Sequence, residues 1–128
     1  MATVQKIRYS DCDPQGIAFN GNYTRYWDDA LTDWLWEAGF TGEHLGVGAE
    51  MVTARIEIDF RSSARLGDTV VTTAEVERIG NTSMTVAVTT RRQGDDEVIC
   101  EGREVIVFVD PDTFRPVPVP DPIREQLG

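Results

Sequence analysis

The 128-residue sequence predicts an α+β domain, an antiparallel five-stranded sheet wrapped around one long central helix. Two patterns and a length predict it. Apolar residues recur at helical spacing between Asn22 and Ala38, and segments of strand character follow, joined by short polar turns. The length matches one domain of roughly 100–150 residues, so residues 1–128 are expected to form a single unit.

Thr3–Tyr9 is rich enough in β-formers to open the sheet, and Ser10–Gly16 then carries the Asp, Pro and Gly of a loop. From Asn22 onward, Tyr23, Trp27, Ala30, Leu31, Trp34, Leu35 and Ala38 form one helical stripe, with Asp28, Asp29 and Asp33 on other faces. Asn22 suits the N-cap and Gly39 the C-terminal stop. In Ala54–Phe60 apolar and polar residues alternate, as a strand with one buried face requires. Arg65–Asp68 turns the chain into a strand over Val70–Glu77, and Ile79–Asn81 turns it again into Ser83–Arg91, with Met84, Val86 and Val88 on one face. Gln93–Asp96 closes a hairpin onto Val98–Val109. These four strands are expected to run as a meander. The proline-rich tail from Asp110 ends in a short helix over Pro122–Leu127.

Composition removes several classes of function. With 22 acidic and 12 basic residues the net charge is −10, so nucleic acid, which needs a basic face, is not an expected partner. No apolar run approaches the roughly 20 residues that span a bilayer, and no membrane partner is expected. No secretory signal is visible, and Cys12 and Cys100 read as free thiols, which points to the cytoplasm. His44 is the only histidine, and neither CxxC nor HExxH occurs. A metal, a cofactor and a histidine-based triad are therefore not expected. Chemistry falls to carboxylates, hydroxyls and backbone groups.

Those groups concentrate between Tyr9 and Tyr23. Asp11 and Asp13 bracket Cys12 in a loop leading directly to the N-terminus of the long helix. A helix N-terminus offers unpaired N–H groups and partial positive charge, which stabilise an anion or a carbonyl oxygen becoming one. A carboxylate just ahead of it could attack a carbonyl or activate water. The same residues would also suit a plain turn and cap. A DxD pair can bind a divalent cation, but no further carboxylate is locally spaced to complete a cage.

The run Asp11-Cys12-Asp13-Pro14-x-Gly16-Ile17, followed by Asn22-Tyr23, resembles the signature of the 4-hydroxybenzoyl-CoA thioesterase family of hotdog folds. Asp59-Phe60 with Leu66-Gly67-Asp68, and Val107–Asp110 with Arg115–Pro118, resemble later segments of that family. The resemblance implies a hotdog fold and hydrolysis of an acyl-CoA to free acid and CoA, with an aromatic or modest-sized acyl group. It places the catalytic aspartate at Asp13, as nucleophile or general base, and leaves Asp11 to brace the loop. It implies an oxyanion donor at the backbone N–H of Asn20, with Gly21 close by, and substrate contacts at Gly16, Ile17 and Phe19. Relatives often carry Tyr or His where this chain has Asn20, which leaves acyl specificity open. CoA contacts are implied at the turn containing Arg78, Asn81, Thr82 and Ser83. The family forms homo-oligomers, dimers and often tetramers, with sites at the subunit interface. The competing readings are a non-catalytic acyl-CoA-binding or assembly module, and a thioesterase acting on acyl carrier protein.

Overall fold

A computed structural model describes residues 2–128. In chain order it contains β1 (Ala2–Lys6), α1 (Asn22–Glu37), β2 (Glu50–Phe60), β3 (Thr69–Ile79), β4 (Ser83–Arg92), β5 (Val98–Val109) and α2 (Asp121–Leu127), with 3-10 turns at Tyr9–Asp11 and Glu43–Gly46. The strands form one five-stranded sheet in the order β1-β3-β4-β5-β2. None of the described helices is long and apolar enough to cross a membrane.

The sheet order corrects the expected meander. β3, β4 and β5 are neighbours in sequence order, but β2 lies beside β5 and not beside β3. Just past β2, the Arg61 and Ser62 N–H groups both donate to the Ile99 carbonyl, at 2.8 and 3.1 Å. Short turns dictate hairpins locally, whereas a strand entering from a helix can join either side of a sheet. β2 also departs from its expected buried face. Val52, Ile56 and Phe60, on one face of this edge strand, are 39%, 38% and 48% exposed. Their alternation is real, but among the described residues they are only partly covered.

The chain groups into two compact units. The first comprises the chain up to Trp34 with Ile58–Ala74 and Val88–Gly102. There β1 pairs antiparallel with β3 from Ala2↔Thr73 to Lys6↔Thr69. β1 is shorter than expected because the chain tightens into the Tyr9–Asp11 turn, where the Asp11 carboxylate accepts the Arg8 N–H at 2.8 Å. Helix α1 buries Tyr23, Tyr26, Trp27, Ala30 and Leu31. Tyr26 thus joins the core, while Trp34, expected in the stripe, is only half-buried. The Trp27 indole N–H donates to the Thr90 hydroxyl at 3.0 Å, and Thr90 and Thr72 share a hydrogen bond at 2.8 Å. This buried chain ties α1 to β4 and β3 with its polar atoms satisfied.

The second unit comprises Leu35–Glu57, Glu75–Ala87 and Arg103–Gly128. It contains the end of α1, which stops at Glu37, one residue before the expected Ala38. Gly39, at φ +97°, takes the left-handed conformation that glycine adopts without a Cβ penalty. The Gly39 N–H donates to Trp36 and the Phe40 N–H to Leu35, a Schellman cap whose buried Phe40 and Leu35 supply its apolar contact. Met84, Val86, Ile106 and Phe108 are buried in this unit, and Ile123 anchors α2.

Candidate active site

The loop ahead of α1 is built by the two aspartates in different ways. Asp13 opens a turn in which its carbonyl accepts the Gly16 N–H at 3.0 Å and its Oδ1 accepts the Gln15 N–H at 2.8 Å. Pro14 follows Asp13, and Gly16, at φ +78°, closes the turn. A Cβ at Gly16 would meet nothing within 4 Å, so its value here is the backbone angle and not room for close approach. The Asp13 N–H donates to Ile17 at 3.0 Å, and a bridge pairs Cys12 with Ala18. The result is a half-buried carboxylate with one oxygen held by backbone and no hydrogen bond to the other among the described residues.

Asp11 is only 3% exposed, and it holds the loop together. Its Oδ2 accepts the Arg8 N–H, and its Oδ1 accepts the Arg25 guanidinium at 2.9 Å. Its carbonyl accepts the Phe19 N–H at 2.8 Å and the Asn22 side-chain amide at 2.7 Å. Asn22 therefore ties the loop to α1 as a donor, where the sequence suggested a capping acceptor. Burial pushes the Asp11 carboxyl up. The Arg8 N–H, the Tyr26 hydroxyl and the Arg25 charge together outweigh burial and hold it below the usual carboxylate range. The expected bracing role of Asp11 matches this geometry.

Asp13 borders a cavity of about 270 Å³ lined by Asp13, Gln15, Ile17, Ala18, Phe19, Asn20, Tyr23, Phe60, Ser62 and Ser63. Of the residues singled out from sequence, Asp13, Ile17, Phe19 and Asn20 meet here. Gly16 and Gly21 do not line it. A Cβ at Gly21 would lie 2.7 Å from the Phe19 ring, so glycine there makes room for that ring. Arg78, Asn81, Thr82 and Ser83 belong to the β3–β4 turn of the second unit and are not among the cavity's walls. The carbonyls of that turn serve the fold: Gly80 accepts the Arg124 guanidinium at 2.8 Å, and Asn81 accepts the Val119 N–H.

The far wall is built from residues that no catalytic motif marks. Phe60, Ser62 and Ser63 arrive because Ala18 donates to the Ala64 carbonyl at 2.8 Å and Ile17 bridges Arg65. No local pattern signals that pairing. Arg92 then braces this wall, donating to the Ser63 carbonyl at 2.7 Å while holding Asp68, Asp95 and Glu97. Tyr23 stands edge-on to Phe60, with ring centroids 5.9 Å apart. Burial pushes the Tyr23 hydroxyl up to about 12, so it stays protonated at neutral pH. Burial likewise pushes the Cys100 thiol up to about 11, which removes it as a nucleophile.

The N-terminal end of α1 completes the arrangement. The N–H groups of Asn20 and Gly21 carry no hydrogen bond among the described residues, and no acidic residue occupies the first turn of the helix. A carboxylate and Asn20, with its unused N–H, thus line one aromatic-walled cavity, and the unused Gly21 N–H and the positive end of a 16-residue helix follow directly in the chain. This set can carry out addition to a polarised carbonyl. Among the described residues, no cluster of three or more His, Cys, Asp or Glu suits a metal ion.

Comparisons with known proteins agree with this architecture. A search of the curated proteins finds no match. Among solved structures, an aspartate-to-asparagine mutant of 4-hydroxybenzoyl CoA thioesterase, complexed with 4-hydroxybenzoyl CoA, superposes with a TM-score of 0.90 at 20% identity, covering 100% of this chain and 98% of that one. A gentisyl-coenzyme A thioesterase gives 0.88 at 23% identity, with 100% of both chains covered. A 1,4-dihydroxy-2-naphthoyl-CoA thioesterase from Synechocystis gives 0.88 at 14% identity, over 98% of this chain and 93% of that one. These likenesses establish the hotdog fold. The family model of the thioesterase superfamily matches residues 15–99, and the chain therefore belongs to the thioesterase superfamily, as a thioester hydrolase.

Proposed function

We propose that the chain hydrolyses an acyl-CoA thioester to free acid and CoA, with Asp13 as its catalytic carboxylate. The observation that carries the reading is the unshared Asp13 oxygen beside a cavity lined also by Asn20, whose N–H is unused like that of the adjacent Gly21. In this reading the thioester carbonyl oxygen points toward those N–H groups, which stabilise negative charge as the carbonyl carbon becomes tetrahedral. Asp13 serves in one of two ways. As a nucleophile it forms a mixed anhydride and expels the CoA thiolate, and water then releases the acid. As a general base it takes a proton from water, whose oxygen adds to the carbonyl before the thiolate leaves.

Phe19, Tyr23 and Phe60 give the cavity aromatic walls, which favours an aromatic acyl group. The names of three solved neighbours, for 4-hydroxybenzoyl, gentisyl and dihydroxynaphthoyl thioesters of CoA, support the same choice. A cavity of about 270 Å³ is small beside the roughly 300–1,000 Å³ of ordinary ligand sites. Phe19 is 52% exposed beside it, so the site is open on one side. We place a second copy of this chain there, in a homodimer that pairs further into a tetramer. The uncovered apolar face of edge strand β2 supports association. Two free cysteines suit a reducing compartment, and the cytoplasm is the location this reading assigns.

The test is release of free CoA from aryl, short-chain and long-chain acyl-CoAs by the purified chain. The reading expects turnover, fastest with an aryl thioester. Acyl-CoA binding without release of CoA from any substrate would contradict it and identify a binding module.

A further inference from the structure

A thioester of CoA brings a nucleotide with a diphosphate and a 3′-phosphate, and a chain of net charge −10 must supply cations for them. Most of its arginines are already neutralised. Arg92 is held by Asp68, Asp95 and Glu97, Arg103 by Glu57 and Glu77, Arg91 by Asp96, Arg61 by Asp59, Arg55 by Glu57, and Arg25 by Asp11. In the unit that contains the cavity, the side chains of Lys6, Arg8 and Arg65 enter no salt bridge among the described residues, and all three are exposed.

The backbone brings the residue before Arg8 against the turn that begins at Arg65. The β1–β3 register ends at Lys6↔Thr69. It continues through the Ile7 N–H to Asp68 at 2.8 Å and the Gly67 N–H to Ile7 at 2.9 Å. Ile7 thus pairs with the Arg65–Asp68 turn, whose Asp68 N–H donates to the Arg65 carbonyl at 3.0 Å, and Arg8 and Tyr9 follow Ile7 directly. Arg65 is bridged antiparallel to Ile17, a wall of the cavity. Residues directly opposite in such a pair project to the same face, so the stem of Arg65 rises beside Ile17. Next to these arginines in the chain are Tyr9, 84% exposed, and Leu66, 44% exposed. An aromatic ring left this open beside a turn that carries an unpaired guanidinium group has no evident role in the fold. It does provide a face on which a purine can stack.

We propose that Arg8, Tyr9 and Arg65 form the seat of the CoA nucleotide, with the arginines binding its phosphates and Tyr9 stacking on its adenine. The planar, bidentate guanidinium suits phosphate oxygens. Asp68, the nearest carboxylate in this turn, is committed to Arg92 and to the Arg65 N–H. The seat rests on the acyl-CoA reading above and specifies where that substrate's far end lies. It differs from the β3–β4 turn around Arg78 that family resemblance implies.

The test compares wild type with Arg8→Ala/Arg65→Ala, Tyr9→Ala and Arg78→Ala on two substrates, an aryl-CoA and the same aryl thioester of pantetheine, which lacks the nucleotide. Calorimetric binding of CoA itself is measured alongside. For the double variant, loss of two charged contacts predicts a KM for aryl-CoA raised roughly 30-fold or more, with kcat unchanged. CoA binding weakens in proportion, and pantetheine-thioester kinetics stay as in wild type. Tyr9→Ala raises the same KM several-fold, and Arg78→Ala leaves it unchanged. Equal KM and CoA affinity in the double variant and wild type would overturn the seat while leaving the thioesterase reading intact. So would an effect confined to Arg78→Ala, or an equal loss on both substrates. Hydrolysis of neither small thioester by wild type, by contrast, would strike the acyl-CoA reading itself.

Discussion

Replacing Asp11 by Asn should destabilise the fold without touching the reacting groups. The carboxylate is 3% exposed and accepts the Arg8 N–H at 2.8 Å and the Arg25 guanidinium at 2.9 Å, with the Tyr26 hydroxyl beside it. Hydrogen bonds to a charged partner contribute about 1.5–3 kcal/mol each. Asn keeps one acceptor oxygen, loses the charge and turns an NH2 group toward a donor. Arg25 is 56% exposed, so its share is discounted for solvent screening. The expected loss is about 2–4 kcal/mol, which at roughly 4 °C per kcal/mol lowers the melting temperature by about 8–16 °C. Urea titration of both proteins at several pH values is the assay. Because the folded-state pKa of Asp11 is depressed, its stabilisation is present above the unfolded value of about 3.9 and is lost as pH falls through the folded value. The gap between wild type and variant should therefore be full at pH 7 and shrink on acidification below about pH 4. A loss under about 0.5 kcal/mol at pH 7, or a gap that widens in acid, would refute the bracing role.

Three further outcomes follow from the same structure. Thr90→Val removes the acceptor of the Trp27 indole and the partner of Thr72, and should cost about 1–3 kcal/mol in urea unfolding; an unchanged midpoint would show the buried chain to be dispensable. His44, the only histidine, bonds to Glu50 and lies 3.2 Å from Glu43, so its imidazole should titrate in NMR above the ordinary 6.5 and fall back in Glu50→Gln. The stability it contributes is present below that ordinary value and disappears as pH rises through the folded-state one, and an unshifted resonance would contradict the pairing. Ile56→Asp, at a position 38% exposed on edge strand β2, should leave the circular dichroism intact and move sedimentation toward monomer, with the dissociation constant raised more than tenfold. An unchanged oligomer would place the subunit contact elsewhere.

What the sequence made legible was local. β5 spans Val98–Val109 as expected, because alternation and the Gln93–Asp96 turn bound it on both sides. Gly39 stops α1 for the reason glycine usually does, and the burial of Met84, Val86 and Val88 follows from their period of two. What escaped depends on contacts distant in sequence. The neighbour of β2 is decided by the Arg61–Ile99 pairing, and the exposed Val52, Ile56 and Phe60 look identical in sequence to residues facing a core. In the site, Asp13, Ile17, Phe19 and Asn20 form one local loop and could be named together. Ser62 and Ser63 join them only through the Ala18–Ala64 and Ile17–Arg65 pairings. The two aspartates show the same division. Their spacing reveals a motif, but only the tertiary structure separates a carboxylate whose two oxygens are held by Arg8 and Arg25 from one with an oxygen left to react.

That separation makes Asp13→Asn the most direct test of the account. Asn keeps the side-chain oxygen that accepts the Gln15 N–H, so the turn and the cavity should survive. It removes the charge needed for attack on the thioester or for activating water. The measurement is CoA release from the best aryl-CoA substrate, with substrate affinity and melting temperature recorded on the same samples. The expected result is a kcat lowered by at least about 100-fold, with affinity and melting temperature close to wild type. Near-wild-type turnover by the variant would contradict it.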